Sequence, residues 1–192
     1  GGILSNSFTQ AWWPRQILVN QHGNGQTTHI DRQTETITTG EPLPEEQLKG
    51  NRADYPAEIA KRSLWDAWFS DHTAKLERIT VPLLSAANWG GAGIHLRGNF
   101  SGYSGSSSAE KWLFAHIGTH YESFYLPHYV AIQKRFFNHY LRGEDNGWPA
   151  EPRVQLAIRR VDGTAFMRKT SDWPIPGTQW QKWYLDSNAL TL

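Results

Sequence analysis

The residues most able to do chemistry follow two short apolar segments in the middle of the chain. Trp89 follows the first segment, residues 79–87, and His120 follows the second, residues 111–117. Short apolar runs bounded by glycine and polar residues are typical of buried strands in a parallel sheet. Open α/β sheets bind ligands beyond the carboxyl ends of such strands. His120 is the catalytic candidate, because an imidazole can accept or donate a proton near neutral pH, and Trp89 is the substrate-binding candidate.

A glycine- and serine-rich segment, Gly102–Ser106, imitates the Gly-x-Ser-x-Gly elbow in which a strained serine acts as a nucleophile. That elbow needs a strand before the serine and a helix after it. Here a predicted helix precedes Ser104 and a predicted strand follows it. We therefore interpret residues 101–108 as a flexible loop.

Two further motifs give weak support to a cofactor or a metal. Gly91 and Gly93 follow a strand, as in a dinucleotide-binding loop, but Leu96 replaces the third glycine of that motif. His116 and His120 lie on a strand and lack the intervening glutamate of a zinc-protease helix. We therefore expect no cofactor and no metal, and we expect His116 to be buried and bonded to backbone.

The elements that position these residues are predicted from apolar periodicity and from capping signals. Helices are predicted near residues 16–22, 54–69, 94–100 and 127–141, strands near 79–87, 111–117, 154–158 and 180–185, and irregular connection over 31–53. Helices thus come first, then alternating α and β elements, then β structure. This order predicts an α/β fold followed by a separate β module.

Composition narrows the classes of function. Lys and Arg total 19 against 18 Asp and Glu, which gives no electrostatic case for nucleic acid or a membrane surface. The chain has no cysteine, so disulfides and cysteine nucleophiles are excluded. The lack of cysteine is compatible with either a cytoplasmic or a secreted protein. The chain opens at Gly1 without methionine and stops in predicted β structure, so we expect a piece of a longer protein.

Four segments resemble the CocE/NonD hydrolases, which belong to the X-prolyl dipeptidyl-peptidase superfamily of serine hydrolases. The segments are the run that ends at Asn88 and Trp89, Gly118–His120, Gln133–Gly143 and Trp173-Pro174. The resemblance covers the whole chain but only a middle slice of the family's length. It implies a partial hydrolase chain.

The family's architecture divides this chain into three parts. The resemblance places residues 1–75 in a helical cap segment, 76–148 in the C-terminal part of an α/β-hydrolase domain, and 149–192 at the start of a β jelly-roll. It matches His120 to the family's catalytic histidine. The implied reaction is acyl transfer on a small-molecule ester or amide, through a serine nucleophile and an acyl-enzyme.

Two features depart from the family's pattern. The nucleophile elbow would lie upstream of Gly1, so this chain alone is expected to be inactive, without a catalytic serine or oxyanion-hole donors. The family's acid stands in Trp-x-Asp, and here Gly91 takes that place. Glu122 is the nearest carboxylate, too close in sequence to reach the far ring nitrogen of His120, and is expected to be solvated. A carboxylate upstream of Gly1, at the end of the preceding strand, would serve geometrically.

A rival interpretation is a non-catalytic binding module. Its tryptophans, among them Trp173, Trp180 and Trp183, would bind carbohydrate or a partner protein. A His120 in a pocket that opens toward the missing N-terminal half favours the hydrolase, whereas a sealed His120 beside an exposed row of tryptophans favours the binding module. The sequence is compatible with a homo-oligomer.

Overall fold

The computed structural model describes residues 8–26, 29–91, 94–121 and 123–184, which fall into two compact units. The chain passes from the first unit to the second between Thr73 and Ala74.

Short helices and aromatic rings make up the first unit. A π-helical turn, Phe8–Trp12, leads into α1 (Trp13–Asn20), followed by α2 (Glu45–Gly50), α3 (Tyr55–Ala60) and α4 (Ala67–Asp71). The ring of Tyr55 contacts those of Phe8, Trp13 and Trp68 at centroid distances of 5.6, 5.1 and 6.3 Å. This aromatic cluster supplies packing that such short helices need, because helices of five to eight residues are unstable alone.

The single helix predicted over residues 54–69 is wrong, because the structure has two helices there. Asp54 caps α3 by accepting from the Ala57 amide at 3.1 Å, and Asp66 caps α4 by accepting from the Phe69 amide at 3.3 Å. Asp66 is extended, so its capping begins a new helix instead of continuing the old one. The irregular stretch predicted at 31–53 also contains α2.

A four-stranded sheet organises the second unit. Its strands are β1 (Leu83–Asn88), β2 (Lys111–His116), β3 (Val154–Arg159) and β4 (Ala165–Thr170), in the order β1-β2-β3-β4. β1 and β3 both pair with β2 in parallel, and β4 pairs with β3 antiparallel. The two predicted parallel neighbours, β1 and β2, are thereby confirmed.

The predicted strand at 180–185 is wrong, because residues 180–184 have no regular structure and residue 185 lies outside the described residues. The strand that pairs with β3 is β4, which was not predicted from the sequence. A tight turn joins them, with Gly163 at φ +82° and the Thr164 amide donating to Asp162 at 2.9 Å. This Asp-Gly turn is a common hairpin signal.

Two longer helices cover the faces of the sheet. They are α5 (Leu96–Gly105) and α6 (Pro127–Arg142), with 3₁₀ turns at Leu76–Arg78, Trp89–Gly91, Ser123–Tyr125 and Trp148–Ala150. The predicted long helix is confirmed as α6, which ends at Gly143 in the left-handed conformation. The predicted loop at 101–108 is wrong, because α5 continues to Gly105 and buries Tyr103.

The core follows the alternation of side chains along β2. Leu113 and Ala115 pack with Tyr103 of α5, whereas Trp112 packs with Phe136 of α6 and with Trp148. Successive strand residues face opposite sides of a sheet, so α5 and α6 cover opposite faces. The second unit is therefore a layered α/β structure.

The hairpin of β3 and β4 continues this same sheet. β3 joins β2 through the pairs Leu113↔Val154 and Ala115↔Leu156. The described residues thus form a mixed α/β fold, and a jelly-roll is not confirmed. Within the described ranges, no helix is both long and apolar enough to cross a membrane.

Candidate functional site

The carboxyl ends of β1 and β2 lie side by side at one edge of the sheet. Asn88, the last residue of β1, pairs with His116, the last residue of β2. The Trp89–Gly91 turn and the loop that leads to His120 therefore leave the sheet together. In parallel α/β sheets this edge is the usual place for a ligand.

The loop between β2 and His120 is braced by buried polar side chains. Asn88 is only 3% exposed and donates from Nδ2 to the Gly118 carbonyl oxygen at 3.0 Å. Ser123 is also buried and donates from Oγ to the Ile117 carbonyl oxygen at 3.1 Å. Buried polar groups favour the arrangement that satisfies their hydrogen bonds. These two bonds therefore fix the path of the backbone before His120.

His116 is a structural histidine, as the sequence predicts. It is buried, and its Nδ1 lies 3.1 Å from the Ile117 carbonyl oxygen. A carbonyl oxygen only accepts hydrogen bonds, so Nδ1 is the donor in this contact. The Ile117 carbonyl thus accepts from both His116 and Ser123.

Two glycines allow the turn after β1 and the loop after β2 to pack closely against their neighbours. A Cβ on Gly90 would lie well inside van der Waals contact with the Gly118 carbonyl oxygen. Gly118 itself has a φ of +102°, and a Cβ there would lie 2.8 Å from Ser123 Oγ. Neither position accepts a larger residue without a shift of the loop.

His120 is exposed and lines an open pocket of about 400 Å³. The polar residues that line the pocket with it are Asn88, His95, Asn99 and His116. The rings of His95 and His120 meet edge to face, with their centroids 4.9 Å apart. An accessible imidazole in a pocket at this edge can exchange a proton with a bound molecule.

An orienting acid is not found among the described residues that line the pocket, because none of them is a carboxylate. Gly91 has no side chain, and a Cβ there would meet Asn88 Oδ1 at 2.5 Å. Glu122 lies outside the described residues. His95 is a further residue of the pocket that was not predicted, although its place between the β1 turn and the start of α5 could have indicated it.

Trp89 occupies the turn after β1, where the sequence places it. Its half-buried ring packs against the core cluster and lies 5.6 Å from the ring of Phe100. The indole Nε1 has no hydrogen-bond partner within the described part of the chain. Trp89 thus supports the base of α5, and its contact with a substrate stays a prediction.

Ser104, the serine of the imitation elbow, lies in the last turns of α5 and is exposed. A serine inside a regular helix lacks the strained strand-to-helix turn that projects a nucleophile. Among the described residues, no group of three or more His, Asp or Glu side chains is arranged to hold a metal ion.

A smaller apolar pocket lies beside His116 on the α6 side, lined by Leu84, Phe114 and Tyr129. The Tyr129 and His116 rings are 5.1 Å apart, and burial raises the pKa of the Tyr129 phenol. Tyr129 therefore stays uncharged at neutral pH beside the buried histidine.

The tryptophans of the rival interpretation differ in their surroundings. Trp173 packs against Phe100 with ring centroids 4.7 Å apart. Trp180 and Trp183 are 80% and 74% exposed. The exposure of these two rings is compatible with the binding module, but His120 is also exposed and not sealed as that interpretation requires.

The chain is similar to solved structures of known proteins. Two crystal structures of a CocE/NonD family hydrolase from Staphylococcus aureus match, the first with a TM-score of 0.66 and 31% identity over 71% of this chain and 25% of that one. The second has a TM-score of 0.62 and 28% identity over 79% of this chain and 25% of that one. No family model matches the chain, and no curated protein does.

These two matches identify the class of fold to which the chain is similar. The fold is that of a hydrolase of the CocE/NonD type, and the predicted resemblance to this family is confirmed. The chain spans about a quarter of the length of the solved structures that it matches.

Proposed function

We propose that this chain supplies the general base of a serine hydrolase that cleaves ester or amide bonds, and that His120 is this base. The observation that carries the proposal is the position of His120. It stands at the carboxyl edge of a parallel sheet, in an open pocket, on a loop held by Asn88 and Ser123. Similarity to a CocE/NonD family hydrolase gives independent support.

The proposed reaction uses a serine from outside residues 1–192. His120 accepts the serine's proton as its oxygen attacks the substrate carbonyl, and then passes that proton to the leaving group. Water repeats the sequence on the acyl-enzyme and releases the acid. His116 does not take this role, because its Nδ1 is committed to the Ile117 carbonyl within a buried site.

The remaining assignments follow from the same resemblance. Residues 1–75 are proposed as cap, 76–148 as the C-terminal part of the hydrolase domain and 149–192 as the start of a jelly-roll. Trp89 is proposed to contribute to substrate binding from the turn after β1.

A Trp-rich binding module remains the second candidate, and one observation favours it. Trp180, Trp183 and Tyr184 are all at least 74% exposed, and such rings can stack on sugars. The accessibility of His120 favours the hydrolase instead, because a binding module needs no pocket around this histidine.

Steady-state turnover of short activated esters by the full-length protein tests the proposal. Replacing His120 with Ala should lower kcat by several orders of magnitude, as removal of a triad member does. His139→Ala removes a histidine at the C-terminal end of α6 and serves as the matched control. Equal turnover in both variants would exclude His120 as the base.

A further inference from the structure

Two backbone anchors hold His95 beside the pocket. Its amide donates to the Gly91 carbonyl at 3.0 Å, so the turn after β1 leads directly to this residue. One turn later, the Asn99 carbonyl accepts from Ser85 Oγ at 2.9 Å, which ties the first turn of α5 to β1. His95 is therefore positioned by the same strand that ends at Asn88.

His120 is positioned independently by the braced loop after β2. Asn88 and Ser123 hold the backbone at Gly118 and Ile117, just before His120, and the two ring centroids lie 4.9 Å apart. At this separation, a hydrogen bond between the rings requires that they turn until one nitrogen of each points at the other.

The chemistry of the pair suits this contact. Two neutral imidazoles can share one hydrogen bond, since each carries one N–H donor and one lone-pair acceptor. A bond from His120 to His95 places the proton of His120 on one defined ring nitrogen. The other nitrogen is then free to accept a proton from a nucleophile, which is the role that a carboxylate fills in a Ser-His-Asp triad.

We infer that His95 is the positioning residue of His120 and takes the place of the triad carboxylate. The inference rests on the proposed function, in which His120 is the base. It accounts for Gly91 at the position of the family's acid and for the lack of a carboxylate among the described residues lining the pocket. His95 itself takes no net proton, because the proton passes from the nucleophile to His120 and then to the leaving group.

Two replacements of His95 separate hydrogen bonding from ring packing. Gln keeps an acceptor at this place but has no ring, whereas Phe keeps a ring with no nitrogen. In the full-length protein, His95→Phe should lower kcat for a short ester by about 10- to 100-fold with little change in KM, and His95→Gln should retain most of kcat. Arg97→Ala, an exposed change in the same turn of α5, should match the parent.

A second readout does not depend on turnover. The nitrogen-15 shifts of the His120 ring, assigned by their loss in His120→Ala, report which nitrogen carries the proton. The parent and His95→Gln should show one tautomer, and His95→Phe a mixture. If His120→Ala keeps full turnover but the tautomer still depends on His95, the hydrolase proposal fails and the pairing stands. An unchanged tautomer in His95→Phe, or Phe outperforming Gln in kcat, would overturn the inference.

Discussion

Gly90 faces the carbonyl oxygen of Gly118 across the carboxyl edge of the sheet, with no space for a methyl group between them. The contact joins the turn after β1 to the loop that carries His120. Asn88 donates to the same carbonyl at 3.0 Å, so this oxygen is held on one side by a hydrogen bond and on another by steric contact. The course of the backbone that leads to His120 therefore depends on the residue at position 90.

Gly90→Ala should displace the loop and misplace His120. A Cβ against a backbone oxygen cannot be relieved by a side-chain rotation, so the loop must shift by several tenths of an ångström or more. We expect kcat on a short ester to fall by at least about tenfold, because small misplacements of catalytic groups are costly.

Gly102→Ala provides the control for that experiment. A Cβ at Gly102 meets no atom within 4 Å, and the residue lies inside α5. This change should leave kcat unchanged and raise the free energy of unfolding by roughly 0.5–1 kcal/mol, since Ala favours a helix interior over Gly. Loss of activity in both variants would show that the Gly90 effect is not specific to the loop.

Gly98 offers a way to fill the pocket beside His120. It lies in the first turn of α5 and lines the pocket, and a Cβ added there would have no other atom within 4 Å. Gly98→Leu should therefore lower kcat/KM for bulky acyl esters more than for acetyl esters, because the added side chain occupies substrate space. Equal loss for both substrates would place the substrate elsewhere.

Tyr103 should make the stability of the chain depend on alkaline pH. Burial raises the pKa of this phenol to about 12, with a further contribution from Asp172, which accepts from its hydroxyl at 3.1 Å. The unfolded phenol titrates near 10, so the stabilisation is complete below about pH 10 and is lost as pH rises toward 12. The loss should be on the order of 2 kcal/mol.

Tyr103→Phe tests this pH dependence. At pH 7 the variant should be about 1 kcal/mol less stable, because it lacks one hydrogen bond, and the difference should shrink above pH 10. Tyr140, whose pKa burial also raises to about 12, titrates in both proteins and cancels in the comparison. Parallel stability curves in urea unfolding from about pH 7 to about pH 11.5 would contradict the account.

The sequence allowed prediction of the elements with strong local patterns. β1, β2 and α6 combine clear apolar periodicity with glycine or proline at their ends, so their type and order were predicted well. The segment around Ser104 is helical and not the predicted loop, and the exclusion of Ser104 as a nucleophile stays a prediction.

The errors arise where tertiary packing outweighs local pattern. Gly102 and Gly105 suggest a loop, yet burial of Tyr103 against Leu113 and Ala115 keeps the segment helical. β4 is exposed along most of its length and shows no alternating burial that a sequence pattern could report.

The same reason limits what the sequence indicates about the proposed site. His120 could be located because it follows a strand, whereas the contact between His95 and His120 joins residues that are 25 positions apart and meet only after β1 and β2 pair. The bracing hydrogen bonds of Asn88 and Ser123 gave no sequence signal, since they depend on the carbonyl oxygens that these side chains reach.

Labelling with a fluorophosphonate tests the central claim most directly, because this reagent reports an activated serine without any assumption about the natural substrate. The full-length parent and His139→Ala should be labelled at one serine outside residues 1–192, and His120→Ala should react at least about 100-fold more slowly. Equal rates in the parent and His120→Ala, or labelling at Ser104, would contradict the assignment of His120 as the general base.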